Sequence, residues 1–416
     1  MRDYILTIDT GRNYPQVECS ENSIKLIRTQ NIRPVYADTQ TLSFIEKNVA
    51  DKLTETNDLM FVRVGDCCVI DDFSSGCAFS DNTLRVKLHS IDPEFVAAWV
   101  SSTVGKALLI RSSKGSGKAV ISSESIENIV VPNVPLVMQK RLCNAYRKAY
   151  QQCVVKLREA DELLASMDIF VLERLGLVLK PLSSKLTFAV KRSDIKNSEL
   201  YCRPTYPSYL NTIHAFKSSK WYQGELENYV QVNPRTDNSG LQDSDIVSFV
   251  PMTAVGNKDN TVNYEFRTYN EVKTGYTVFQ RNDLLWAKIT PCMQNGKSCI
   301  MSEMPTEIGF GSTEFHVLRN RSDKVYIPYI WALLSNNTVL QAAQAVFNGS
   351  AGQQRVSDSF LKKFPLPLPD ITLQKEIADS VFTMLERVYT LKREAETGWT
   401  AAKARFEQEL LGGMDK

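Results

Sequence analysis

Two stretches of the chain share one pattern, and this pattern determines its organisation. Residues 115–142 read GSGKAVISSESIENIVVPNVPLVMQKRL, and residues 350–377 read SAGQQRVSDSFLKKFPLPLPDITLQKEI. They align without a gap at a constant offset of 235 positions (374 − 139 = 235), so that Gly117 matches Gly352 and Gln139 matches Gln374. Self-similarity at a fixed offset indicates a repeated structural unit.

The sequence on both sides of these stretches is repeated as well. SIKLIRTQNIRP (23–34) resembles DIVSFVPMTAVG (245–256), and DPEFVAAWVSS (92–102) resembles YIPYIWALLSN (326–336). A long helical pattern follows each Gln-Lys pair. The alternative is chance similarity between two strand-to-helix turns. A gapless match with repeated flanks favours a tandem duplication of one unit, made of a globular domain, a short linker and a long helix.

The first Gly-rich loop has some likeness to a phosphate-binding loop. That motif requires a Ser or Thr after its Lys, because the hydroxyl binds Mg²⁺. Here Lys118 is followed by Ala119, and Ser112 stands where the first Gly should be. The second copy, GSAGQQ, has no Lys. The pattern therefore argues against an ATPase.

Apolar residues recur every three or four positions after Pro135 and after Pro369, which predicts two long amphipathic helices. At about 38 residues and 1.5 Å rise, each would be on the order of 55 Å long. Core helices of a single globule are the alternative, but near-equal lengths and Pro-bounded starts favour a coiled-coil pair. Gly398 weakens the second helix by about 1 kcal/mol relative to Ala. The predicted seam positions are Met138, Leu142, Tyr146, Ala149, Cys153, Leu157, Ala160, Leu164, Met167 and Val171, and then Leu373, Ile377, Val381, Leu385, Val388, Ala395, Trp399, Ala402, Phe406 and Leu410, with Leu391 or Lys392 filling the longest step.

Composition sets broad limits. A chain of 416 residues predicts two or three domains, and 43% apolar residues allow real cores. The net charge of +2 excludes neither nucleic acid nor protein partners. Nine scattered Cys without a C-x-x-C pair, and three His, make a structural zinc site improbable, so no metal site is expected. No signal run or long apolar stretch is present, which predicts a cytoplasmic chain with no membrane partner.

The two globular regions contain short strand-like runs separated by turn signals such as GNKDN, QNGK and GFGS. This predicts mixed α/β domains. Neither region has a nucleophile elbow, a dinucleotide fingerprint, a D-P-P-Y-type motif or an acidic cluster of the metal-nuclease kind. We therefore expect a chain without catalytic residues.

The loops are rich in side chains that can read DNA. Asn and Gln pair with adenine, and Arg and Lys pair with guanine or phosphate. For any single residue, a solvated loop position remains the alternative. The predicted DNA-binding residues are Arg28, Arg111, Lys114, Lys118, Lys288, Gln294, Asn295, Lys297, Asn348, Gln353, Gln354 and Arg355.

Three motifs, in this order, resemble the specificity (S) subunits of type I restriction-modification systems. SELYCRPTYPSYL (198–210) resembles the segment leading into a recognition domain. WAKITPCMQNGKSCI (286–300), followed by GFGSTEFHVLR (309–319), resembles the second half of such a domain. GSAGQQRVSDSFLKKFPLPLPDITLQKEI (349–377) resembles the junction that opens a spacer helix. The likeness covers most of residues 20–416.

The resemblance implies an α+β fold with a pseudo-two-fold tandem repeat. Two α/β target-recognition domains would be separated by two long antiparallel coiled-coil helices. The expected segments are a first recognition domain (1–134), a first spacer helix (135–178), a linker (179–214), a second recognition domain (215–368) and a second spacer helix (369–412).

The resemblance also implies partners. Each domain would read half of a bipartite site in double-stranded DNA, and the helices would set the gap between the halves. The helices, including Gln139, Lys140, Gln374 and Lys375, would dock two methyltransferase (M) subunits, which restriction (R) subunits would join. This chain would need no cofactor, since S-adenosylmethionine, ATP and Mg are expected only on partner subunits. A type IIB-like or other defence methyltransferase complex, or a scaffold that does not bind DNA, remains an alternative.

Overall fold

The computed structural model describes residues 1–63, 65–112, 120–179, 207–349 and 353–412. The chain forms two compact units. The first unit is Met1–Glu159 together with the end of the last helix from Thr390, and the second is Ala160–Tyr389. Each unit includes part of both long helices, which differs from the five expected segments. Most of the expected linker 179–214 lies outside the described residues.

The first unit combines two sheets with helices. One sheet has the strand order β1-β7-β4-β5 and is antiparallel, and the other has the order β3-β2-β6, with β2 and β6 parallel. Its strands are β1 (Ile5–Thr10), β2 (Ser23–Ile27), β3 (Ser43–Glu46), β4 (Leu59–Val62), β5 (Cys67–Val69), β6 (Ala78–Phe79) and β7 (Thr83–Leu88). Its helices are α1 (Pro93–Ser101), α2 (Thr103–Arg111), α3 (Ser123–Glu127) and the first part of α4 (Leu136–Arg174).

The second unit has the sheet orders β9-β16-β13-β14, β11-β10-β15-β12 and β17-β8. Its strands are β8 (Tyr222–Glu225), β9 (Val230–Val232), β10 (Ile246–Val250), β11 (Glu265–Thr268), β12 (Thr277–Gln280), β13 (Leu284–Ala287), β14 (Ser298–Ile300), β15 (Ile308–Gly311), β16 (Phe315–Asn320) and β17 (Pro365–Pro367). Its helices are α5 (Pro207–Lys217), α6 (Tyr269–Val272), α7 (Ile327–Leu334), α8 (Asn337–Ala345), α9 (Asp358–Lys362) and the first part of α10 (Ile371–Gly412).

The two units repeat one topology. Strand β7 lies between β1 and β4 as β16 lies between β9 and β13, and the parallel pair β2 and β6 corresponds to β10 and β15. Helices α1 to α3 recur as α7 to α9. The predicted duplication and the α+β fold class are thus confirmed. Strand β12 and the pair β8 and β17 are additions of the second unit, as far as the described residues show.

Helices α1 and α7 are buried at the centre of their units. Their sequences, PEFVAAWVS and IPYIWALL, are almost entirely apolar because each helix is enclosed on most sides. The polar atoms of their large side chains are satisfied, since Trp99 Nε1 donates to Val130 O (2.8 Å) and the Tyr329 hydroxyl donates to Pro367 O (2.6 Å). Burying one such side chain contributes about 1.5–3 kcal/mol.

The long helices contact each other within each unit, and in the first unit they run antiparallel. In the first unit, Tyr146 of α4 packs against Trp399 and Phe406 of α10, with ring centroids 4.6 and 5.3 Å apart. Ion pairs also join the helices, and in the first unit they give the same direction, because the partner that comes later in α4 meets the partner that comes earlier in α10. These pairs are Arg141–Glu409 (3.8 Å) and Lys156–Glu394 (2.9 Å) in the first unit, and Arg174–Glu376 (2.7 Å) in the second.

The predicted seam is mostly buried. The longest gap between seam positions in α10 had two candidates, Leu391 and Lys392. Leu391 fills it, because only 1% of this residue is exposed. Leu157 differs from the prediction, because 41% of it is exposed. A helix turns about 100° per residue, so Leu157 lies roughly 40° to one side of Cys153, whereas Ala160 stays close to the seam. Cys153 and Ala160 are buried accordingly.

Candidate nucleic-acid interface

Two loops that the sequence singled out meet in the second unit. Thr290 N donates to Gln354 O (3.0 Å), and Val356 N donates to Lys288 O (2.9 Å). Lys288 N in turn donates to Glu314 O (2.9 Å), at the start of β16. The segment after β13 and the segment before α9 are therefore joined side by side, with Lys288 at their junction.

Arg355 holds this junction together. Its Nε and Nη2 donate to the two carboxylate oxygens of Glu314 (2.8 and 2.7 Å), and its Nη1 donates to Gln353 O (3.0 Å). The hydrogen bonds from Arg355 lower the pKa of the Glu314 carboxyl. The guanidinium is thus paired within the chain, and the DNA contact of Arg355 stays a prediction.

Lys297 is also occupied inside the chain. Its ammonium donates to Met252 O (3.2 Å) and to Val255 O, so it fastens the loop before β11 rather than facing solvent freely. Gln294 accepts a hydrogen bond from the Thr290 hydroxyl through Oε1. The remaining predicted side chains are better placed for a partner, since three of them are exposed: Asn295, Asn348 and Gln353.

A groove of about 420 Å³ adjoins the junction. Its polar wall includes Lys288, Arg235 and Thr236, and Phe315 and Val317 contribute apolar surface. No ion pair involves the side chain of Lys288 or Arg235 among the described residues. Two cations beside an apolar surface suit a phosphate backbone with its sugars. The sequence prediction named Lys288 and missed Arg235, which follows β9 in the turn NPRT.

A second groove, of about 570 Å³, shares Arg235 with the first. Arg321 and Lys362 also line it. Arg321 Nη1 donates to Glu227 O (3.2 Å), and Lys362 pairs with Asp358 (2.6 Å). The two grooves therefore meet at Arg235 in the turn that follows β9, and the second groove also has the acidic Glu227 in its lining.

His316 contacts both Asn233, which lines the first groove, and Val356 at the loop junction. Its Nε2 lies 2.9 Å from Val356 O and its Nδ1 lies 3.1 Å from Asn233 Nδ2. Because a carbonyl only accepts and an amide nitrogen only donates, the hydrogen must reside on Nε2. Burial lowers the pKa of this histidine. A neutral imidazole therefore holds both elements.

In the first unit the predicted residues are dispersed. Arg28 Nη1 donates to Gln16 Oε1 (3.3 Å), and Arg111 is an exposed residue at the end of α2. Lys114 and Lys118 lie outside the described residues. Arg63 occupies the place of Lys288, because Ile121 N donates to Arg63 O (2.8 Å). The sequence prediction missed it, although the repeat matches Ile121 with Val356 and could have located it.

Gln139 and Gln374 are buried, and both use their amides inside the chain. Gln139 accepts from Asp92 N (2.9 Å) and donates to Val134 O (2.8 Å). Their burial corrects the expectation that they form part of a docking surface. Their neighbours Lys140 and Lys375 are exposed and keep that possibility.

Asp92, Glu94 and Cys143 are the metal-ligating types that come together in the described residues. Their donor atoms are already in use. Asp92 caps α1 by accepting from Glu94 N (2.9 Å), and Glu94 binds both Arg147 and the Tyr36 hydroxyl. Burial raises the pKa of the Cys143 thiol, so it stays protonated. We therefore interpret this cluster as a structural network of hydrogen bonds and an ion pair.

Within the described residues, none of the helices is both long and apolar enough to span a membrane.

The chain thus combines a duplicated α+β topology with long helices and, in the second unit, a groove lined by basic side chains. Residues 208–396 match the family model described as the type I restriction modification DNA specificity domain. The match covers a little less than half of the chain. The resemblance to specificity subunits seen in the sequence is thus confirmed.

Two specificity subunits from Escherichia coli are similar to part of this chain. The chain is 33% identical to the type I restriction enzyme EcoAI specificity subunit over 195 residues, which are 47% of this chain and 33% of the relative. It is 30% identical to the EcoEI specificity subunit over 234 residues, which are 56% of this chain and 38% of the relative. The matches thus span 33% of one relative's length and 38% of the other's.

Two solved structures are similar over nearly the whole chain. One concerns complex assembly and conformational transition of the type I R-M system, with 13% identity, a TM-score of 0.48, and coverage of 98% of this chain and 95% of the other. The other is the S subunit of a type I restriction-modification system from M. genitalium, with 10% identity, a TM-score of 0.44, and coverage of 98% and 93%. The resemblance to specificity subunits rests on the sequence matches.

Proposed function

We propose that this chain is the sequence-specific DNA-recognition subunit of a type I restriction-modification complex. Each globular domain reads one half of a bipartite site, and α4 and α10 set the gap and dock two M subunits. R subunits join that assembly. Methylation and cleavage, with their cofactors, belong to the partner subunits, and a cytoplasmic location stays a prediction.

The observation that carries this proposal is the repeated topology of the two units, one of which matches a DNA specificity domain. If the second unit reads DNA, the first has the same strand order and helix order with which to do so. Two similar readers on one chain fit a site with two halves.

In the second unit, different residues contact the phosphates and the bases of DNA. Lys288 and Arg235 bind phosphates, because their charges line an open groove. Asn295, Asn348 and Gln353 are exposed amides that can reach base edges. With a net charge of only +2, the chain alone binds duplex weakly and relies on the M subunits for much of the electrostatic attraction.

The test is co-expression with the methyltransferase gene that neighbours this one, followed by genome-wide mapping of methylated bases. We expect a split motif with a fixed gap of about six bases, given helices of this length. Exchanging residues 215–365 for those of a relative should change one half of the motif and leave the other. A stable complex that methylates nothing would instead favour the scaffold, and cleavage at a fixed distance from the motif would favour the type IIB-like alternative.

A further inference from the structure

A buried ion pair joins α4 to a turn of the second unit. Lys258 Nζ lies 2.6 Å from Asp168 Oδ2, and each side chain is only 12% exposed. Lys258 lies in the turn between β10 and β11 with a φ of +57°. The pair is far more enclosed than Arg174–Glu376 on the same helix, whose side chains are 43% and 56% exposed.

Asp168 is held from a second side by the start of α8. Its Oδ1 accepts from Asn337 N (3.3 Å), and its carbonyl oxygen accepts from Asn336 Nδ2 (2.9 Å). A buried carboxylate with these partners has one favourable position. Asp168 therefore keeps one position on α4, and its ion pair with Lys258 holds the turn that carries this lysine.

The turn carrying Lys258 contacts the loop that precedes β14. Lys258 N donates to Gly296 O (3.2 Å), and Asn257 forms a β-bridge with Lys297. A Cβ added at Gly296 would lie 3.2 Å from Lys258 Cβ, so the two segments are in close contact. A short series of direct contacts thus leads from Asp168 through Lys258 to Gly296, next to the exposed Asn295.

We propose that Asp168 is a positioning residue for DNA reading by the second unit. Through Lys258 it holds the loop 290–297 in place, so that discrimination between bases in the half-site read by this unit depends on the ion pair. The inference rests on the proposed function, since it assigns a task to the same loop.

The first unit provides an internal control. Glu407 of α10 accepts from Val104 N (2.9 Å) at the start of α2, as Asp168 accepts from Asn337 N at the start of α8. Among the described residues, no lysine pairs with Glu407 as Lys258 pairs with Asp168. A change at Asp168 should therefore alter the reading of one half-site only.

The first arm of the test needs no DNA. Hydrogen exchange of the full chain is compared between the wild type, Asp168→Asn, Lys258→Met and the control Arg174→Met. Asp168→Asn keeps an acceptor for Asn337 N and removes the charge. We expect exchange in residues 256–260 and 293–300 to rise by about tenfold in the first two variants, as for coupled neighbours, and not in the control. Unchanged exchange overturns the inference.

The second arm measures fidelity in the complex with the M subunits. In Asp168→Asn, methylation at sites with one mismatch in the second unit's half-site should rise by about tenfold relative to the full site, because misplacement of a reading group weakens discrimination. Mismatches in the other half-site should show no change, and Lys258→Arg, which keeps the ion pair, should retain fidelity.

The two possible failures are distinguishable. A wild-type complex that methylates no split motif contradicts the proposed function itself. A wild type that reads a split motif, with Asp168→Asn reading it at equal fidelity or losing both halves alike, overturns only the positioning role.

Discussion

Gln139 and Gln374, which are 235 positions apart, make equivalent hydrogen bonds in their two units. Each accepts from the backbone N–H of the residue that caps a buried helix, Asp92 N for Gln139 (2.9 Å) and Tyr326 N for Gln374 (3.0 Å). Each also donates to the carbonyl five residues before it, at 2.8 Å. The amide therefore ties the first turn of each long helix to the start of a buried helix.

Replacing either glutamine with alanine should destabilise the chain by about 1–3 kcal/mol, because a buried N–H and a buried carbonyl lose their partners. The matched controls are Lys140→Ala and Lys375→Ala, exposed neighbours that should change stability by less than about 0.5 kcal/mol. Urea unfolding followed by circular dichroism measures both. Equal midpoints for the glutamine variants and the lysine controls would contradict a structural role.

The repeat made these glutamines visible in the sequence, but it could not reveal what they contact. The same limit explains other differences between prediction and structure. Arg355 is paired with Glu314, 41 positions away, and Lys297 donates to carbonyls 42 and 45 positions away. Such contacts arise from tertiary packing, which local pattern does not encode. Periodicity is visible within one segment, and a gapless repeat is visible when the sequence is aligned with itself. The helices and the duplication could therefore be predicted.

Lys288 and Arg235 should each contribute one phosphate contact. Replacing either with alanine should weaken duplex binding by the complex with M subunits uniformly across sequences, and should reduce the slope of log affinity against log salt by about 1. Fluorescence anisotropy of a labelled duplex at several salt concentrations measures this. Lys324→Ala is the control, because Lys324 lies beside the start of α10 and does not line the groove. An unaltered slope would exclude these cations from the interface.

His316 should make the stability of the chain depend on pH near neutrality. Burial lowers its folded-state pKa below the ordinary 6.5, so the unfolded state binds more protons between these two values. The contribution is fully present above pH 6.5 and is lost as the pH falls from 6.5 through the folded-state pKa. A proton on Nδ1 would also face the N–H groups of Asn233.

His316→Gln removes this titration. Thermal unfolding midpoints between about pH 5 and 7.5 should therefore vary less in the variant than in the wild type. Buried carboxylates such as Asp168 are common to both proteins, so the difference between the two profiles isolates the histidine. Parallel profiles would show that His316 does not supply the proton.

Gly398 should be replaceable by alanine with a gain in stability. It lies inside α10, and a Cβ there would meet nothing within 4 Å. Since glycine costs roughly 0.5–1 kcal/mol relative to alanine within a helix, Gly398→Ala should raise the unfolding free energy by about that amount. Gly105 in α2 is the matched control, because a Cβ there would lie 1.9 Å from Trp99 O.

Gly105→Ala should therefore destabilise the chain by about 1–3 kcal/mol through overpacking, and the two variants should move the melting temperature in opposite directions.

Substitutions at Gly398 also test partner docking. Gly398 borders a groove of about 250 Å³ between α4 and α10, lined by Leu142, Ala402 and Phe406. If an M subunit enters that groove, Gly398→Leu should weaken its binding in a pull-down while Gly398→Ala keeps it. Equal binding by both variants would place the M subunit on another face of the helix pair.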